Sequence, residues 1–180
     1  MSAATQHRPV TERFVSMRWL LSFLVFTLTG CGSCYTFQGF SIDPSLTTFY
    51  VSDFRSTVSN APPTIGQTFT ESLKEKVLRE SRLEANDEDP DIEFSGTVSN
   101  FRVSSVSPEP GEFAALNRLE ISIALQYTNH RDDEASWSQT FSHFEDFPAQ
   151  QNLLDVQDEL IENIFEQILE DIFNKAFTNW

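Results

Sequence analysis

Five apolar pairs recur at four-residue intervals toward the end of the chain: Leu160-Ile161, Ile164-Phe165, Ile168-Leu169, Ile172-Phe173 and Ala176-Phe177. An α-helix gathers such a repeat on one side, because four residues span slightly more than one turn. The surplus is about 40° per step, so the apolar stripe winds around the helix. No single flat sheet face can cover it. The near end is expected to lie on a sheet, and the far end, Phe173, Phe177 and Trp180, on a different surface. Asn152 stands ahead as the N-cap, with Asp155 three residues on. Burial of each large side chain is worth roughly 1.5–3 kcal/mol before entropy costs, so this helix is a main source of stability. Its other side carries Asp158, Glu162, Glu166 and Glu170 at i, i+4 spacing. Three like-charge neighbours cost roughly 1 kcal/mol together, which packing outweighs. Such a ladder is either a solvated face or a docking surface for a cationic partner.

The sheet must come from the chain ahead of that helix. Leu119, Ile121, Ile123, Leu125 and Tyr127 alternate with Glu120, Ser122, Ala124 and Gln126, the pattern of a strand with one dry face. A charged hairpin turn at 129–134 leads to a further strand. There Trp137, Gln139, Phe141 and His143 share one face and Ser138, Thr140 and Ser142 the other. An earlier strand over 92–103 begins with Ile92, Phe94 and Val98 in phase, then switches parity to Phe101 and Val103. One extra residue near Ser99-Asn100, a bulge, produces that switch. Residues 47–54 (TTFYVSDF) read as the first strand. Thr64 and Gln67 have the spacing of a capping box for a helix from Ile65 to about Arg82, with Ile65, Phe69, Leu73 and Val77 on one face. Residues 86–91 (NDEDPD) read as a solvated acidic turn, since a calcium loop's ligand ladder and glycine are missing. Residues 104–112 (SSVSPEPGE) read as a long loop at the tip.

These elements run β-α-β-β-β-α. The expected fold is an α+β two-layer sandwich: a four-stranded mixed sheet with two helices packed on one face, which buries every apolar stripe. Parallel pairing of the first two strands would make their connection a right-handed crossover.

Residues 1–30 have a different character. Arg18 precedes an apolar run at 19–28 (WLLSFLVFTL), which ends in Leu28-Thr29-Gly30-Cys31. A positive start, a short apolar centre and a small-residue cleavage site make a secretory signal. The run is about half of the roughly 20 residues a membrane-spanning helix needs. The arrangement resembles the bacterial lipoprotein signal, which is cut before a cysteine that has received a diacylglycerol. On that reading 1–30 are removed and Cys31 carries a diacylglycerol and an N-acyl chain. Residues 31–46 (CGSCYTFQGFSIDPSL) are then a lipidated tether, and 47–180 a single domain. Met17 would serve as a start as well as Met1. A lipidated Cys31 has no thiol, so its CxxC spacing with Cys34 is neither a redox pair nor half a zinc site; Cys34 is read as a spacer residue.

The charge balance excludes some partners. The chain has 27 Asp and Glu against 12 Lys and Arg, a formal charge of −15. Residues 1–30 hold three of the arginines and one glutamate, which leaves nine basic residues against 26 acidic ones, or −17. Such a surface does not suit nucleic acid, whose affinity rests on clustered Lys and Arg, and an anionic membrane would repel it. Acyl chains, at about 0.8 kcal/mol per buried methylene, overcome that repulsion. No phosphate loop, HExxH or nucleophile elbow is present. His143 with Ser142 and either Glu145 or Asp146 is a remaining hydrolytic constellation. The chain reads as a binding or structural protein, not an enzyme, without cofactor or metal.

Several stretches resemble one family: 67–76 (QTFTESLKEK), 114–119 (AALNRL), 158–161 (DELI) and 171–180 (DIFNKAFTNW). Their order, with the lipid cysteine, resembles the lipopolysaccharide-assembly lipoproteins LptE, in the form found in Bacteroidota. The resemblance implies a non-enzymatic α/β lipoprotein on the periplasmic side of the outer membrane. Its implied partner is the β-barrel translocon LptD, which it plugs while lipopolysaccharide passes to the cell surface. Some members also bind lipopolysaccharide through basic residues. The local candidates are Lys74, Lys76, Arg79, Arg82 and Arg118; a second reading has the helical ones serving the helix end and pairing with Glu71 and Glu75. Asp158, Glu162, Glu166 and Glu170, with the tip loop, are candidates for contact with a cationic barrel lumen. A periplasmic lipid-anchored scaffold of another envelope complex remains the alternative.

Overall fold

The computed structural model describes residues 42–106 and 115–178. The signal at 1–30, Cys31, the tether up to 41, residues 107–112 of the expected tip loop and Trp180 lie outside the described residues; the loop's first three positions, 104–106, belong to a strand instead. The elements are β1 (Thr48–Val51), β2 (Arg55–Ser56), α1 (Ile65–Glu80), β3 (Glu84–Ala85), β4 (Ile92–Val106), β5 (Leu116–Asn129), β6 (Trp137–Pro148) and α2 (Leu153–Phe177). The sheet order is β3-β1-β4-β5-β6, with β2 beside β4. β1 pairs in parallel with β3 and β4, and β4, β5 and β6 form an antiparallel meander.

The α+β class holds, with two strands more than expected. β2 and β3 have two residues each, too short for any alternation of apolar and polar residues. They join through backbone groups the neighbouring strands leave free: Thr57 N–H donates to the Val98 carbonyl, and Glu84 N–H to that of Thr47.

β4 carries the bulge. Its register with β5 shifts between Val98 and Asn100, and the buried residues change from Ile92, Phe94 and Val98 to Phe101. One extra residue keeps the apolar face inward along a strand that would otherwise turn it to water. Gly96 leaves room beneath Phe54: a Cβ there would lie 2.2 Å from the Ala124 carbonyl oxygen and 2.8 Å from the Phe54 ring.

Three expectations need correction. Thr64 is not a side-chain cap; its backbone is helical (φ −87°, ψ −6°). The Ile65 N–H already bonds the Pro62 carbonyl, so the turn begins earlier, and Gln67 instead donates to Glu71 at 2.9 Å. α1 then ends at Glu80, because Ser81 is extended. Next, the far end of α2 stays on the same sheet face: Phe177 meets Phe94 of β4 at 6.2 Å between ring centroids. A sheet is itself twisted, so its face follows a winding stripe, while α1 covers the flank through Phe69 and Phe165, 5.1 Å apart edge to face. Lastly, the turn at 86–91 is not wholly solvated. Asp91 is 1% exposed, and its carboxylate accepts hydrogen bonds from the Thr47 N–H (2.7 Å), the Thr47 hydroxyl (2.9 Å) and the Thr48 N–H (3.0 Å). Arg131 completes the set through Nε, so one carboxylate ties the start of β1 to the β5–β6 turn.

Candidate functional site

The two helices lie side by side, and a groove of about 810 Å³ runs between their outer faces. Asp158, Glu162, Glu166 and Glu170 of α2 line one wall, and Glu75, Lys76, Arg79 and Glu80 of α1 the other. Ile161, Phe165 and Leu169 form part of the lining but are nearly covered, at 7, 2 and 6% exposed. The α2 wall follows from periodicity: the apolar doublets turn inward, so the ladder one step away turns out.

Lys76 is 7% exposed. Its Nζ donates to Glu170 of α2 at 2.6 Å and to both carboxylate oxygens of Glu80 at 3.0 and 2.9 Å. It also lies 5.4 Å from the Phe173 ring centroid. Burial by itself would lower the ammonium pKa, yet the hydrogen bonds it donates to Glu170 and Glu80 carry it above its ordinary value. The same bond holds the Glu170 carboxyl below the usual range. Arg79 pairs with Glu75 and Glu80 at 3.4 and 3.2 Å. Among the described residues Asp158, Glu162 and Glu166 make no ion pair, so this stretch of wall keeps its full negative charge.

The five basic candidates do not converge on one place. Lys76 and Arg79 sit in the groove and are occupied by carboxylates. Lys74 is exposed on α1 and makes no ion pair among the described residues. Arg82 donates to the Ile42 carbonyl at 3.0 Å. Arg118 is an even-numbered β5 residue, so it lies on the sheet face opposite the helices. There it makes a two-pronged bond to Asp146 at 2.7 and 2.8 Å and stacks on Phe144, 3.6 Å from the ring centroid.

The hydrolytic constellation is not assembled. Ser142 and His143 are consecutive strand residues and face opposite sides. Ser142 donates to the Ser122 hydroxyl at 2.8 Å, His143 Nε2 is 2.7 Å from Asp171 Oδ2, and Asp146 belongs to Arg118. The Lys76–Glu170 bridge was hidden in the sequence. The i, i+4 pairing of Lys76 with Glu80 was legible there, but nothing local links α1 to α2.

Fold and groove describe a two-layer α+β domain with a charged groove between its two helices. The model of the lipopolysaccharide-assembly family LptE matches residues 46–176, and the chain belongs to that family. No curated protein matches the sequence. Among solved structures, a hypothetical protein from Chlamydia trachomatis is 6% identical, with 73% of this chain and 98% of that one covered and a TM-score of 0.49. A minor lipoprotein from Acinetobacter baumannii is 9% identical, with coverage of 74% and 97% and a TM-score of 0.46. Rare lipoprotein B from Shewanella oneidensis is 12% identical, with coverage of 70% and 89% and a TM-score of 0.41.

Proposed function

We propose that this protein is an outer-membrane lipoprotein that plugs the β-barrel translocon delivering lipopolysaccharide to the cell surface, and helps assemble it. The observation that carries the reading is the family match across 46–176. Its lipobox at 28–31 fits: the signal over 1–30 is removed, Cys31 takes the diacylglycerol and N-acyl chain, and residues 31–46 tether the domain on the periplasmic side. Partner and lipopolysaccharide contacts are non-covalent, and no catalysis is assigned. The lumen of an outer-membrane barrel is polar, so a plug needs charged surface rather than a broad apolar patch. The unpaired wall of Asp158, Glu162 and Glu166 supplies it for a cationic lumen. Of the basic candidates, Lys74 and Arg82 make no ion pair among the described residues, and Arg82 already donates to the Ile42 carbonyl, so Lys74 is the more open to a lipopolysaccharide phosphate.

The test is co-purification. The double reversal Glu162→Lys with Glu166→Lys is expected to lower recovery of the barrel on the affinity-tagged protein while the unfolding transition persists. Unchanged recovery removes the groove from the interface, and recovery of no barrel even with the native protein removes the translocon reading.

A further inference from the structure

Strand β6 is an edge. It pairs with β5 on one side and with no strand on the other among the described residues. Which of its backbone groups point outward follows from two hydrogen bonds. The Ala149 N–H donates to the Ala115 carbonyl, and these two residues continue the register Leu116↔Pro148. They are therefore a hydrogen-bonded pair. Antiparallel ladders alternate, so odd-numbered β6 residues bond β5, and the N–H and C=O of Ser138, Thr140, Ser142, Phe144 and Asp146 point away from the sheet. On the far side of β5, the His130 N–H bonds the Asp91 carbonyl, which fixes the same alternation: even β5 residues face β4, odd ones β6.

Natural sheets blunt long edges with lysine, proline or a bulge. From Trp137 to Phe144 β6 has none of these and no Asp or Glu; its register runs unbroken, Glu145 and Asp146 come near its end, and the proline at its last position. Ser138, Thr140, Ser142 and Phe144 are exposed, and Phe144 is 50% exposed. β6 itself carries no Lys or Arg; its Asp146 is held by Arg118 and Lys175 of α2 stands over Trp137, while Glu145 makes no ion pair among the described residues and Asp171 of α2 flanks the strand through His143.

We propose that the β6 edge takes an added strand, an extended basic polypeptide segment from another protein. The backbone supplies the ladder and the charge selects the sign. A second copy of this chain is disfavoured, since each carries −15 and would bring its own Glu145 and Asp171 to the join. A closed barrel has no free strand edge to offer, so the segment would be a loop or terminus. The inference rests on the fold alone and stands apart from the translocon reading.

The probe is a ten-residue peptide of alternating Thr and Val with three lysines, offered to the purified full chain. Companion peptides carry glutamate for lysine, or N-methyl groups on the bonding edge. Binding of the lysine peptide should slow amide exchange at residues 138, 140, 142, 144 and 146 and leave the odd-numbered amides of β6 unchanged. Thr140→Pro removes an N–H that the fold does not use, as edge positions tolerate, and should weaken binding by about tenfold or more. N-methylation of the peptide should do the same with the native chain. The proposal is overturned if the lysine peptide does not bind, if the glutamate peptide binds equally, if N-methylation has no effect, or if light scattering shows the chain pairing with itself through this edge.

Discussion

Asp91 shows how much one side chain can hold. Its carboxyl lies well below the usual carboxylate range, chiefly because the Thr47 N–H is aimed at it; the Thr47 hydroxyl, Arg131 and the Thr48 N–H add to this, against the opposing effect of burial. A depressed folded pKa stabilises the fold above the unfolded value of about 3.9, and that stability is lost as pH falls from there toward the folded value. Asp146 and Glu170 are shifted in the same direction by Arg118 and Lys76. Unfolding by urea should therefore change little with pH between 7 and 5 through these carboxylates and weaken progressively below about pH 4. Asp91→Ala should cost roughly 3 kcal/mol at pH 7, since it leaves Arg131 and two backbone donors without their acceptor, and it should flatten the acid limb. Urea titrations of both proteins at pH 7 and pH 3 check this. In the sequence Asp91 is the last letter of an acidic turn. Its neighbours gave no sign that residues more than 40 positions away would close on it.

At the scale of an element, α2 combines two requirements. Its buried doublets hold the two layers together, and its ladder opposes helix formation slightly. Glu162→Lys turns two like-charge i, i+4 contacts, to Asp158 and Glu166, into opposite-charge ones. It should stabilise the fold by about 0.5–1 kcal/mol, measured as a raised urea midpoint with an unchanged slope. A native ladder that costs stability is what a contact surface for a cationic partner would require, so a gain in stability together with weaker barrel recovery would tie the two observations. Elements of this length were readable because their periodicity repeats: the doublets of α2, the alternation of β5 and the parity switch of β4 each occur over many residues. The capping-box spacing of Thr64 and Gln67 misleads because the turn has already begun at Pro62, whose carbonyl takes the Ile65 N–H. β2 and β3, at two residues each, lie below any period.

For the whole molecule, net charge is the dominant electrostatic fact. With −15 over one chain, self-repulsion opposes the compact state, and salt screens exposed charges over about 8–10 Å at 0.1–0.15 M. The thermal midpoint should rise by about 2–4 °C between low salt and 0.15 M sodium chloride, equivalent to about 1 kcal/mol for a chain of this size. A scan in which salt lowers the midpoint would show that ion pairs such as Lys76–Glu170 outweigh the repulsion. The sequence by itself determined the helices, the three long strands, the bulge and the two-layer class, because each is written in the spacing of apolar residues along a short stretch of chain. The tertiary structure alone decided which charges remain open and which are occupied. Lys76 meets Glu170 across 94 positions, Arg118 meets Asp146 across 28, and β6 is left as the edge. Ion pairing and edge exposure depend on which elements become neighbours in space, and local periodicity carries no record of that.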